Sequence, residues 1–280
     1  MGETVRYLRC PLCLGAFSRE GNSLRCARGH CYDLARQGYV NLAPGRRDSF
    51  YKKEMFESRA RVFEAGVFEP VAEELTRAFN QYVRSEEPVV LDAGCGEGYY
   101  LRRVAAGRKM TRIGLDLNRD AVRLAAKSTK DASFAVGDLA AIPLADGCCD
   151  AVLDIFTPAN YAQFKRVLKP GGVLFKIAPR SGYLVQLRRA ARGRIRSEQD
   201  DEDRVGRYAR RHMRMLEQRT ITYTMPVSSE LAVHLAQMTP MLAEVDVREL
   251  DLSDVREITI DETLYIGTLP DENVRPDAGK

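Results

Sequence analysis

The sequence lacks any apolar run approaching the roughly 20 residues that a membrane span needs, and Met1 to Arg9 has no apolar core of the kind a secretory signal carries. A cytoplasmic protein with no membrane partner is the expectation. No internal repeat is present, which sets aside solenoid and propeller architectures. Tryptophan is absent. Neither sign of charge dominates: 43 Lys and Arg against 39 Asp and Glu leave a formal +4, a mild basicity that permits a nucleic-acid partner without demonstrating one. Cysteine is scarce except in one place. Of seven, four (Cys10, Cys13, Cys26 and Cys31) crowd near the N-terminus, which in a reducing compartment argues for a metal rather than a disulfide framework.

The 280 residues suffice for one large domain and a small appendage. Residues 1 to 44, rich in Cys, Gly and Arg, cannot build a core without a staple and read as a zinc knuckle. Residues 45 to 84 read as a helical linker, with apolar residues at spacings of three and four over Met55–Ala65 and Pro70–Val83 and a break at Gly66. Residues 85 to 270 form the main domain. Short apolar runs at Val89–Leu91, Ile113–Leu115, Phe134–Val136, Ala151–Ile155 and Val173–Ile177 alternate with helical patterns, so the fold class is α/β with a parallel, Rossmann-like sheet. Lys169 to Gly172 reads as the turn entering the fifth strand. Beyond it come a basic helical region (Tyr183–Leu216), a polar strand (Thr220–Thr224), a helix (Ser228–Met238) and a last strand (Ile258–Ile266). The polar tail, 271 to 280, reads as disordered.

The strand Val89–Leu91 runs directly into Asp92, Ala93, Gly94, Cys95, Gly96, Glu97 and Gly98. Glycines belong where backbone must approach a ligand closely or take positive φ. A second strand ends at Asp116, where open α/β folds place an acid that accepts hydrogen bonds from a ribose, and a third ends at Gly137 and Asp138. This spacing suits nicotinamide cofactors as well as S-adenosylmethionine. The acids discriminate, because Asp92 and Glu97 would repel a pyrophosphate but suit an ammonium and a sulfonium.

Near the N-terminus, Cys10 and Cys13 are separated by two residues, Cys26 and His30 by three, with twelve residues between the pairs. Two such pairs complete a tetrahedron around zinc, and three thiolates with one imidazole leave no open position, so the metal is expected to be structural. Cys31 is a rival fourth ligand.

A zinc knuckle fused to a glycine-loop domain resembles the RlmA family of class I methyltransferases. The likeness runs through Cys10 to Cys13, Cys26 to His30, Gly38 to Leu42, Met55 to Pro70, Asp92 to Tyr100, Leu168 to Gly172 and Gln237 to Pro240. It implies an S-adenosylmethionine-dependent enzyme that methylates N1 of a guanine in a hairpin of large-subunit ribosomal RNA, a homodimer, and a contribution to macrolide resistance. The loop and the resemblance together put Phe68, Asp92, Gly94, Gly96, Tyr100, Leu101, Asp116, Asp138 and Tyr183 at the cofactor, and Cys10, Cys13, Cys26 and His30 on zinc. Phe68 stands where the family usually has tyrosine, Val67 and Tyr183 replace histidines, and no tryptophan follows Pro240. Phe68 and Tyr183 read equally as packed core, and these departures would suit a small-molecule, natural-product substrate instead. A nonenzymatic RNA-binding protein that keeps the fold is a further alternative.

Methyl transfer is an in-line displacement that needs alignment more than side-chain chemistry. Guanine N1 carries a proton, and Asp154, at the end of the fourth strand and expected on the substrate side, is the candidate base beside its reading as a capping or solvated acid. Twelve arginines from Arg180 to Arg219, interrupted by the acids of 198 to 203, suit phosphate, with Arg188, Arg189, Arg192 and Arg196 on one helix and Arg25, Arg28 and Arg36 in the knuckle.

Overall fold

The computed structural model describes residues 1–45, 53–104, 106–195 and 204–270. The expected polar tail and Arg196 fall outside these. The N-terminal segment folds as a three-stranded antiparallel ribbon, β1 (Phe17–Glu20), β2 (Ser23–Cys26) and β3 (Cys31–Asp33). A two-residue strand, β4 (Val40–Asn41), then leaves the ribbon. The helices α1 (Lys53–Glu64) and α2 (Glu69–Tyr82) follow, separated at Gly66, which takes φ +77°. The main domain alternates β5 (Val89–Ala93), α3 (Tyr99–Arg103), β6 (Thr111–Asp116), α4 (Arg119–Ser128), β7 (Ser133–Val136), β8 (Cys149–Ile155), α5 (Tyr161–Val167) and β9 (Leu168–Pro179). It closes with α6 (Val185–Ala190), α7 (Arg204–His212), β10 (Arg214–Pro226), α8 (Ser229–Met238) and β11 (Glu257–Thr268).

The five expected strands are all present and parallel, in the sheet order β10-β11-β9-β8-β5-β6-β7-β4, with β10 and β11 antiparallel at one edge. Helix starts follow side-chain chemistry. Asn118, Asn160 and Ser228 each accept a hydrogen bond from a first-turn amide, of Ala121, Gln163 and Leu231 respectively. Two apolar cores lie on opposite sheet faces. One joins Phe68, Leu75, Phe79 and Leu101 to Leu153, Ile155, Phe175 and Leu264; the other joins Leu91, Val152 and Leu174 to Tyr161, Phe164 and the zinc segment's Leu8 and Leu24. Strand parity therefore decides which face each side chain serves.

Two expectations are corrected. The region 183–216 is not continuously helical: α6 and α7 are short, and β10 begins at Arg214. The expected polar strand of 220 to 224 is the middle of a 13-residue strand. From Arg214 onward exposed and half-buried residues alternate, a period of two that the arginine-rich composition obscures. The knuckle is also no separate appendage. Its β4 adds in parallel to the far edge of the main sheet, Val40 opposite Ala135 and Asn41 opposite Val136, and the Leu42 amide donates to the Val136 carbonyl at 2.9 Å. Among the described residues no helix is long and apolar enough to cross a membrane.

Candidate cofactor and metal sites

Cys10 and Cys13 sit on a tight turn in which the Leu14 amide donates to the Cys10 carbonyl at 2.8 Å and the Cys10 amide to the Gly15 carbonyl at 2.9 Å. A second turn, with Gly29 at φ +83°, returns the chain from Cys26 to His30. The two turns meet so that Cys10, Cys13, Cys26 and His30 place one ligand atom each within 4.8 Å of one another. His30 Nδ1 lies 3.4 Å from both Cys10 Sγ and Cys26 Sγ, and Cys13 Sγ lies 3.6 Å from Cys26 Sγ. Those are close to the edges of a tetrahedron with zinc–ligand bonds of roughly 2.0–2.3 Å. The donor set fits zinc with no position left for substrate. Cys31 is exposed and outside the cluster.

The glycine loop crosses the C-terminal end of β5. Gly94 takes φ +81°, and a Cβ there would stand 2.3 Å from Thr157 Oγ1, so the backbone can pass the β8 loop only as glycine. Gly96 takes φ +54° and faces the guanidinium of Arg59. Its amide donates to Asp116 Oδ2 at 2.9 Å, while Asp116 Oδ1 accepts from the Asn118 amide at 2.8 Å, which ties the acid at the end of β6 to the loop. Among the described residues, buried Asp92 has no hydrogen-bond partner for Oδ2 and buried Glu97 none for either oxygen; Arg59 Nε lies 3.5 Å from Glu97. Burial pushes Asp92 up to about 8 against the pull of Arg59, and it raises Glu97 likewise. A dry cradle with unsatisfied carboxyls and one half-buried guanidinium matches a ligand carrying both an ammonium and a carboxylate.

The comparisons with known proteins agree with this pairing of sites. Residues 8–48 match the model described as "RlmA, N-terminal", a zinc ribbon, and residues 90–172 match a "Methyltransferase domain". A Streptomyces fradiae protein named 23S rRNA (guanine(748)-N(1))-methyltransferase is 32% identical over 94% of this chain and 97% of its own length. The Bacillus subtilis protein YxjB, provisionally named a 23S rRNA (guanine-N(1)-)-methyltransferase, is 40% identical over 67% of this chain and 70% of its own. A solved Haloferax volcanii methyltransferase complex with Trm112 is similar at a TM-score of 0.48 and 19% identity, covering 81% of this chain and 100% of that one. The chain belongs to the RlmA family. It is an S-adenosylmethionine-dependent methyltransferase with a structural zinc.

In this RlmA-family site, Asp92, Gly94, Gly96 and Asp116 come together at the loop. Asp138 stands on the same sheet edge at the end of β7, where it accepts from the Ala140 amide at 2.8 Å. Leu101 is fully buried as a core side chain of α3. Phe68 and Tyr183 join a ring cluster with Tyr100 and Phe156. Phe156 lies 6.1 Å from Phe68, 6.5 Å from Tyr100 and 5.9 Å from Tyr183, measured between ring centres. Sequence reasoning passed over Phe156 and Arg59. Phe156 directly follows β8 with φ +56°, a left-handed backbone unusual for an aromatic residue and typical of functional sites. Arg59 gave no signal, because an arginine on an amphipathic helix reads as solvated.

Asp154 corrects an expectation. Its neighbours Leu153 and Ile155 face the ring cluster, so Asp154 points to the opposite sheet face, where it is wholly buried and accepts from Lys176 Nζ at 2.8 Å. The same ammonium donates to the Thr157 carbonyl at 3.0 Å. Burial raises Asp154 to about 6 despite that ammonium. It is half of an internal ion pair and faces away from the ring cluster.

Purified protein should hold one zinc per chain; Cys13→Ser should lose it and Cys31→Ser keep it, as read by metal analysis. Asp154→Asn, by stranding the Lys176 ammonium, should lower stability in urea melts by about 3 kcal/mol with cofactor affinity unchanged; full stability with lost turnover would return Asp154 to the chemistry. Because the folded Asp92 holds its proton up to about 8 while the unfolded carboxyl releases it near 4, the stability it lends is complete below pH ~4 and lost as pH rises through ~8. The fall in melting temperature from pH 6 to 8.5 should thus be shallower in Asp92→Asn, and equal slopes would refute this.

Proposed function

We propose that this protein methylates N1 of a guanine in a hairpin of large-subunit ribosomal RNA, in the cytoplasm. The observation that carries the reading is the reach of the likeness: the Streptomyces fradiae enzyme matches from the zinc ribbon through the C-terminal strands, not across the cofactor domain alone.

Bound S-adenosylmethionine supplies an electrophilic methyl on a sulfonium. Asp92 and Glu97 would hold the ammonium, Arg59 the carboxylate and Asp116 the ribose hydroxyls; each side chain already stands at the loop. The ring cluster of Phe68, Tyr100, Phe156 and Tyr183 excludes water and offers flat faces to a base. Displacement then needs little more than alignment.

The surface arginines divide into two groups. Arg219 is held by Glu74 at 2.6 Å and Glu217 at 2.7 Å, Arg180 by Asp261 and Arg194 by Glu249, so these three serve the fold. Arg189, Arg192, Arg204 and Arg211 are exposed. On α7, Arg204 and Arg211 accompany Tyr208, half exposed, whose ring centre lies 4.3 Å from that of His212. Arginines interleaved with an exposed aromatic form a surface for phosphate and unpaired bases. The homodimer that the resemblance implies belongs to this reading and is checked by light scattering.

Mass analysis of 23S rRNA from cells with and without the gene should show one guanine that gains a methyl at N1. Hairpin binding should weaken about tenfold or more between 50 and 200 mM salt. Unchanged rRNA would remove the substrate, and a flat salt response would remove the arginine surface.

A further inference from the structure

Glu262 is the most anomalous side chain outside the cofactor loop. It lies in the middle of β11, wholly buried, and neither carboxyl oxygen has a hydrogen-bond partner among the described residues. Buried carboxyls without partners are rare in folded proteins, because desolvation is costly and nothing offsets it. A structural role would be better filled by leucine.

Its position gives it a use. Glu262 pairs with Pro179, the last residue of β9, and with Ile221 of β10. It thus stands at the C-terminal edge of the parallel sheet, where β8 gives way to Phe156. By parity it shares a face with Ile260 and Leu264, which pack in the core that contains Phe68 and Tyr100. Three phenols feel its charge: Tyr100 from α3, Tyr183 from the segment before α6, and Tyr223 from β10. Each is pushed up first by burial and next by Glu262. Asp261 on its own strand adds a further negative charge, and burial raises Glu262 well above the usual carboxylate range. The Tyr223 hydroxyl is committed to the Val67 carbonyl at 2.6 Å, whereas the Tyr100 hydroxyl has no partner among the described residues.

We propose that Glu262 is the guanine-reading and proton-accepting residue of this methyltransferase, its two oxygens facing the N1–H and N2–H of a base held by Phe68, Tyr100, Phe156 and Tyr183. The assignment rests on the rRNA guanine reading above. Guanine alone among the four bases presents two adjacent N–H donors on its Watson–Crick edge; adenine and cytosine offer a ring nitrogen acceptor there, and uracil flanks its one donor with carbonyls. A carboxylate therefore selects guanine by pairing and repels the others by lone-pair opposition. The ring cluster supplies stacking for a base extruded from its helix. In the transfer, the N1–carbon bond forms as the carbon–sulfur bond breaks, its electron pair remains on the sulfur, and the N1 proton passes to a Glu262 oxygen. Burial gives that oxygen a higher proton affinity than a solvated carboxylate, as a general base requires.

The test compares wild type, Glu262→Gln and Glu262→Asp on the target hairpin, with guanine or inosine at the methylated position. Glu262→Gln should lower kcat by about 100-fold or more, flatten the acidic limb of the pH–rate profile, and leave S-adenosylmethionine affinity by calorimetry within about twofold. Its melting temperature should hold, since glutamine keeps the size of the side chain and the exchange removes no hydrogen bond. Glu262→Asp should restore part of the rate. Wild type should prefer guanine over inosine, which lacks the N2 donor, and Glu262→Gln should lose that preference. Wild-type activity matched by Glu262→Gln would overturn the assignment, as would a rate loss that tracks lower melting temperature and lost cofactor binding. A wild type that leaves every 23S rRNA guanine unmethylated at N1 would overturn the substrate reading, and this assignment with it.

Discussion

Keeping carboxyl groups dry at one edge of the sheet is the constraint on which the rest of this structure turns. Asp92, Glu97 and Glu262 are buried there, and Arg59 is the cation placed among the first two. Such an arrangement opposes folding, because each carboxyl must either hold a proton or remain charged without water. What compensates is the apolar mass around it. The rings of Phe63 and Tyr99 stack at 4.0 Å, Phe68 and Phe79 are wholly buried, and α1 is pinned to α8 through Ser58 and Gln237 at 2.8 Å. A cationic ligand beside these buried oxygens would lower that cost. Binding and stability are thus coupled through the same few oxygens.

The zinc knuckle meets a different constraint. A segment this short cannot close a core by itself, so the metal ligands fix two turns and the ribbon leans on the main domain. Leu8 and Leu24 pack into the sheet's second core, and β4 extends the sheet by one strand. The Gly38–Leu42 run that marks the family is where the knuckle becomes part of the sheet. The knuckle is therefore joined to the cofactor domain through hydrogen-bonded backbone at β4 and β7.

How much could be read beforehand follows from the range of each signal. The five parallel strands, the glycine loop, Asp116 and the metal ligands were legible because each depends on residues close in sequence. Gly94 is needed locally, and two cysteines two residues apart share a turn. The length of β10 was not legible, since its alternation is one of exposed and half-buried polar residues with little hydropathy contrast. Arg59 and Glu262 were invisible for a stronger reason. An arginine on a helix and a glutamate between apolar residues of a strand acquire meaning only from partners far away along the chain, or from lacking them.

Asp154 and Glu262 show how parity settles what composition cannot. Both are acids near the same end of the sheet, both are buried, and either could be proposed as a base from its neighbours in sequence. The alternation of β8 turns Asp154 toward the second core, where Lys176 meets it. The alternation of β11, running antiparallel, turns Glu262 toward the rings. A shift of one residue in either strand would exchange the two environments. The lysine sits where a charge must be neutralised to be tolerated, and is missing where a carboxyl must stay available to a substrate. The difference between the structural acid and the reactive one is thus written in what the fold declines to place beside it.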